Sequence, residues 1–83
     1  MFVFHVEHVE TYGGPVETRN LGLYARWADA VAAAQAAMVP YVDELGEHYS
    51  QPTFTVDENG LATSASWDDG HDGSVYITRR EVM

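Results

Sequence analysis

The segment Arg26-Trp27-Ala28-Asp29-Ala30-Val31-Ala32-Ala33-Ala34-Gln35-Ala36-Ala37-Met38-Val39 decides the fold of this 83-residue chain. Ala has the highest helix propensity of any residue. Ala30, Ala33, Ala34, Ala37, Met38 and Tyr41 recur at spacings of three and four, which makes one apolar stripe. Residues this small let a helix lie close on a sheet. No Ser, Thr, Asp or Asn caps the start, although Asp29 puts a carboxylate in the first turn, where it suits the helix dipole. Pro40 in a helix interior costs ~3 kcal/mol. Either the helix kinks there, or it ends near Met38 and a second short helix opens with Pro40 at its first position. Gly46 stops whichever helix reaches it.

Upstream, Phe2, Phe4 and Val6 alternate with Val3, His5 and Glu7, the period of a half-buried strand running to Val9. Tyr12-Gly13-Gly14-Pro15 breaks it, and Val16 to Tyr24 reads as the returning strand of a long hairpin, Leu21 and Leu23 sharing a phase. Downstream, Thr53-Phe54-Thr55-Val56 alternates again, and Asn59-Gly60 signals a type I′ hairpin turn. Leu61, Thr63, Ala65 and Trp67 share one face of the next strand. Asp68 to Gly73 reads as a second turn, and Ser74 to Val82 as the last strand, with Val75 and Ile77 facing in. The expected fold class is α+β in the order β-β-α-β-β-β: an antiparallel sheet of four to five strands with one main helix packed on a face. Residues 1–83 form a single domain. The expected core is Phe2, Phe4, Val6, Leu23, Ala30, Ala34, Ala37, Phe54, Val56, Trp67, Val75 and Ile77.

Thirteen Asp and Glu stand against four Arg and no Lys, a formal charge of −9. That balance excludes direct binding of nucleic acid or an anionic membrane, because phosphate contacts need Lys or Arg. No apolar run approaches the ~20 residues of a membrane helix. Met1-Phe2-Val3-Phe4 reads as strand and lacks the basic start of a signal peptide, so the expected location is the cytoplasm. With no Cys there is no disulfide, thiolate zinc site or Cys nucleophile.

The motifs for chemistry are weak. Asp68-Asp69-Gly70-His71-Asp72-Gly73 is similar to a calcium loop, but the third and twelfth positions are Gly70 and Arg79, where an acid or Asn and a Glu are needed. His5 and His8 differ by three, so on one strand they point to opposite faces and cannot jointly grip one ion. His48 and His71 fall in expected loops at no fixed separation. Gly13-Gly14 sits in a hairpin turn, away from any phosphate-binding helix start. The expectation is no catalytic residues, no metal ligands and no cofactor.

The acid excess stands out. The expected partner-binding residues are Asp43, Glu44 and Glu47 in one cluster and Asp68, Asp69 and Asp72 in another. They lie in turns or at element ends, where side chains are solvated, so reversing either cluster leaves the fold intact. If the first helix runs on to Leu45, Asp43 and Glu44 sit at its negative end; if a helix opens at Pro40, they lie nearer a positive end. Acidity can serve solubility or salt adaptation. It can also present an electronegative face that steers a basic partner into contact.

Asn20-Leu21-Gly22-Leu23-Tyr24, running into Ala25 to Ala34, resembles a pattern in small uncharacterised bacterial and phage proteins, in which a strand ending Gly-hydrophobic-aromatic enters an acidic, Ala-containing helix. Trp67-Asp68-Asp69-Gly70 is similar to the Trp-acid-Gly tail of some of them. The two stretches cover about a third of the chain. The usual Ser or Thr cap is replaced here by Ala25-Arg26. The resemblance implies strands around one helix and no activity. By size, acidity and lack of a catalytic constellation, the chain also resembles phage anti-defence proteins, including anti-CRISPRs and DNA mimics, a likeness that transfers no residue roles. The expected function is a non-catalytic acidic binding protein that occupies a basic, nucleic-acid-binding surface of a partner protein, in its most concrete form an inhibitor of a host defence complex. The alternatives are a housekeeping or structural module and a small metal-assisted enzyme.

Overall fold

A two-stranded hairpin, β1 (Phe2–Glu10) with β2 (Glu17–Tyr24), leads into α1 (Trp27–Met38), and β3 (Thr53–Val56), β4 (Ala62–Asp68) and β5 (Gly73–Glu81) follow. The computed structural model describes residues 1–11, 13–41, 52–70 and 73–82. All five strands form one antiparallel sheet in the order β2-β1-β5-β4-β3. The fold is α+β, as the hydrophobic periods require.

Strand alternation puts Val6, Ile77 and Ala65 side by side on one face, with His8, Val75 and Trp67 in the next row. α1 lies on that face against β1, β5 and β2. Ala30, Ala34 and Met38, one turn apart, are its buried residues. They meet Val6, Ala65, Trp67, Val75 and Ile77 in a core closed at its edges by Phe4, Leu21, Tyr24, Trp27, Val31, Ala37 and Tyr41. The opposite face of the sheet is polar and half-exposed or exposed along Ser64, Ser66, Thr78 and Arg80. One covered face and one wet face is the usual state of an antiparallel sheet.

The helix ends at Met38 instead of kinking. The Val39 N–H donates to Ala36 O (3.4 Å) and the Tyr41 N–H to Met38 O (2.9 Å), which tightens the chain into a turn around Pro40. A helix opening at Pro40 and the stop at Gly46 concern residues 42–51, outside the described residues. Arg26 is the N-cap and makes no side-chain capping bond.

Three expectations are corrected. Leu23 is 63% exposed and not in the core. β2 carries a bulge: Val6 pairs with Gly22 and Glu7 with Asn20, so Leu21 is an extra residue. Tyr24 and Gly22 then share the helix face with Leu21, and Leu23, opposite His5, points away. The Asn20 Oδ1 accepts the Gly22 N–H (3.0 Å), and Gly22 takes φ +119°, a conformation side chains disfavour. Phe2, Phe54 and Val56 face the covered side but remain 40%, 51% and 57% exposed, because the body of α1 lies on β1, β5 and β2 and only the Trp27 ring at its start extends to Phe54. Finally, the hairpin at Asn59-Gly60 is not a two-residue type I′ turn. The Gly60 N–H donates to Asp57 O (3.0 Å), so Glu58 and Asn59 occupy the turn centre and Gly60, at φ +78°, follows it.

Candidate functional site

The register sorts charge along the strands. Glu10 pairs with Glu17 on one side and Gly73 on the other, and Asp68 pairs with Ser74. The end of β1, the starts of β2 and β5 and the end of β4 therefore form one end of the sheet. Among the described residues, Glu7, Glu10, Glu17, Asp68 and Asp69 lie in that half against Arg19. The other half sets Asp29, Asp57, Glu58 and Glu81 against Arg26, Arg79 and Arg80, one arginine short of balance. Tyr41, just past the helix C-terminus, donates its hydroxyl to Glu10 Oε1 (3.3 Å), so the negative pole of α1 lies at the acidic end as well.

Of the two expected clusters, Asp43, Glu44, Glu47 and Asp72 lie outside the described residues. Asp68 is exposed, and its Oδ1 accepts the Gly70 N–H (2.8 Å), an Asx turn that holds the carboxylate at the rim. Asp69 is the correction. It is fully buried, not solvated. β4 runs on to Asp68, inside the supposed turn, so parity aims Asp68 at the open face and Asp69, two beyond Trp67, at the covered face. Reversing Asp69 with its neighbours would strike the fold as well as the surface.

What Asp69 meets is His8, itself 3% exposed. With Asp69 ionised, its carboxylate accepts only, so the His8 Nε2–H donates to Asp69 Oδ2 at 2.8 Å. Asp69 Oδ1 accepts the Gly73 N–H (3.1 Å), and its own N–H returns to Gly73 O (3.0 Å). Glu10 Oε1 stands 3.5 Å from the same His8 Nε2. The Tyr41 ring meets the imidazole edge to face at 5.3 Å. A cavity of about 400 Å³ lined by His8, Glu10, Glu17, Thr18 and Arg19 opens beside this group.

Gly73 makes the arrangement fit: a Cβ there would lie 2.5 Å from Asp69 Oδ2 and 2.7 Å from Val9 O. The chemistry available is that of one buried imidazole shared by two carboxylates. Sequence reasoning weighed His5 with His8 and missed His8 with Glu10 and Asp69. His5 does face the other way, its Nε2 3.1 Å from Asn20 Oδ1. The missing signal was parity, since Val6, His8 and Glu10 on β1 and Ala65, Trp67 and Asp69 on and just past β4 point to the same face of the sheet.

The opposite end of the covered face is apolar. Phe4, Trp27, Phe54 and Trp67 form a chain of edge-to-face ring contacts at 5.2, 6.3 and 6.0 Å. Phe4, Trp27 and Phe54 border a groove of about 480 Å³ that Phe2, Val56 and Leu61 also line. Arg79 stands 4.1 Å over the Phe2 ring and donates to Asp57 Oδ2 (2.8 Å). That hydrogen bond, with the Leu61 and Asn59 N–H groups on Oδ1, holds the Asp57 carboxyl below its ordinary pKa.

Among the described residues, no helix is long and apolar enough to cross a membrane. Comparison of the chain with family models, curated proteins and solved structures returns no match.

Proposed function

We propose that this chain is a non-catalytic binding protein whose acidic end docks on a basic surface of a partner protein, of the kind that otherwise holds nucleic acid. The observation that carries the reading is the segregation of charge. The antiparallel register gathers Glu10, Glu17 and Asp68 at one end of the sheet and leaves the arginines, apart from Arg19, at the other. Glu17 and Asp68 are exposed there, and the negative end of α1 adds to their field. A charge excess serving solubility alone has no reason to favour one end. A concentrated field steers encounter and fixes orientation.

The test is calorimetry with an oligoarginine peptide as the basic probe, at about 0.1 and 1 M salt, between which the screening length falls from about 10 to 3 Å. Glu17→Lys with Asp68→Lys is compared with Glu58→Lys plus Glu81→Lys, which changes net charge equally at the other end. The reading expects the first pair to weaken binding several-fold more than the second, with the difference collapsing at high salt. Equal losses from both pairs would mean that only total charge matters.

A further inference from the structure

We infer that His8, Glu10 and Asp69 form a binding site for one divalent first-row metal ion of the zinc class. The site goes beyond the docking surface proposed above and stands or falls separately from it.

One ligand atom from each of the three lies within 4.8 Å of the others. His8 Nε2 is 2.8 Å from Asp69 Oδ2 and 3.5 Å from Glu10 Oε1. Zinc bonds of about 2.0–2.2 Å, at tetrahedral to right angles, put neighbouring donor atoms about 2.8–3.6 Å apart. The two separations lie within that range. Seating an ion there opens the His8–Asp69 pair slightly and turns Glu10, whose side chain is 20% exposed, toward it.

Donor arithmetic points the same way. A neutral imidazole carries one proton at Nε2, and two carboxylate oxygens lie within 3.5 Å of it. That proton serves Asp69. A dication serves both. It takes the Nε2 lone pair of the other neutral tautomer, the ring proton having passed to Nδ1 by exchange with solvent, so the imidazole stays neutral.

The surroundings are those of a metal site. Asp69 is oriented by the Gly73 N–H and Glu10 by the Tyr41 hydroxyl, bonds of the kind that fix ligating carboxylates. Gly73 leaves the space that a Cβ would take from Asp69 Oδ2. The cavity of about 400 Å³ lined by His8 and Glu10 gives the ion an entry and room for water ligands. One imidazole nitrogen with two carboxylate oxygens suits zinc and its neighbours, whereas calcium and magnesium take oxygen alone.

The experiment titrates untagged, chelator-stripped protein with zinc sulfate by calorimetry, and with cobalt chloride by visible absorption. One ion per chain is expected, with cobalt bands of a low-symmetry site. Glu10→Gln and Asp69→Asn keep side-chain shape and are each expected to weaken zinc binding at least ~10-fold. His5→Ala, on the opposite face, is expected to leave it unchanged. Circular dichroism confirms that each variant is folded. Should Asp69→Asn fail to fold, Glu10→Gln and the cobalt spectrum decide alone. Absence of zinc binding, binding that Glu10→Gln does not alter, or loss on His5→Ala overturns the site.

Discussion

Gly73 stands opposite Glu10 in the β1–β5 ladder, and the space where its Cβ would be is taken by the Asp69 carboxylate, 2.5 Å away. A buried acid at the rim of a small domain thus depends on a glycine in the neighbouring strand. Gly73→Ala should cost about 1–3 kcal/mol, because Val9 O on the other side is backbone and cannot retreat. Urea denaturation measures the loss, and the His8 ring resonances should shift as Asp69 is pushed off Nε2. A neutral substitution would show that the Asp69 side chain has somewhere else to go.

The His8–Asp69 bond is buried on both sides, so removing one partner strands the other. Asp69→Ala and His8→Ala should each cost about 3–5 kcal/mol, and the double variant much less than their sum. A double-mutant cycle in urea tests the coupling. Additive losses would mean that the two side chains are held by other neighbours.

The core and the bulge rank substitutions that composition alone would treat alike. Trp67→Ala should cost about 3–5 kcal/mol, and Phe54→Ala clearly less, since Phe54 is about half exposed. Leu23→Ser should stay within ~0.5 kcal/mol, whereas Gly22→Ala, next door at φ +119°, should cost about 1–3 kcal/mol. Thermal melts that reverse the first order would contradict the core, and melts that reverse the second would contradict the bulge.

Asp57 contributes to the loss of stability in acid. Its carboxyl is held below the ordinary value, first by the Arg79 hydrogen bond. A depressed folded-state pKa gives stability that is full above the unfolded value of about 3.9 and lost as pH falls through the folded value. Asp57→Asn should therefore lower the urea midpoint at pH 6, with the gap to the native protein closing below about pH 4. A gap constant with pH would assign the loss to the turn hydrogen bonds on Oδ1.

Much of the fold was legible because period two and period 3.6 each leave a phase that few residues violate. Ala30, Ala34 and Met38 lie on the buried side of the helix, and Val6, Val75 and Ile77 on the sheet's covered face, where their spacing puts them. Leu23 was not legible: one extra residue at Leu21 flips every later side chain, and only Gly22 beside Asn20 marks the bulge. Phe54 and Val56 carry a core pattern on an edge strand that the body of the helix does not cover, Trp27 alone extending to Phe54, which is a fact of topology rather than of pattern. Half of the candidate site was also within reach. Taking Asp68 to Gly73 as a turn concealed that strand parity continues from Trp67 to Asp69, and the pairing of β1 with β5 that brings His8 beside it joins residues from opposite ends of the chain.

The docking role is tested most directly by comparing three immobilised baits in extract of the source cells: the native chain, Glu17→Lys with Asp68→Lys, and Glu58→Lys with Glu81→Lys. Each is washed with and without duplex DNA as competitor. The account predicts one partner retained by the native chain and by the Glu58/Glu81 variant, lost from the Glu17/Asp68 variant, and displaced by DNA. A partner held equally by all three baits and untouched by DNA would contradict it.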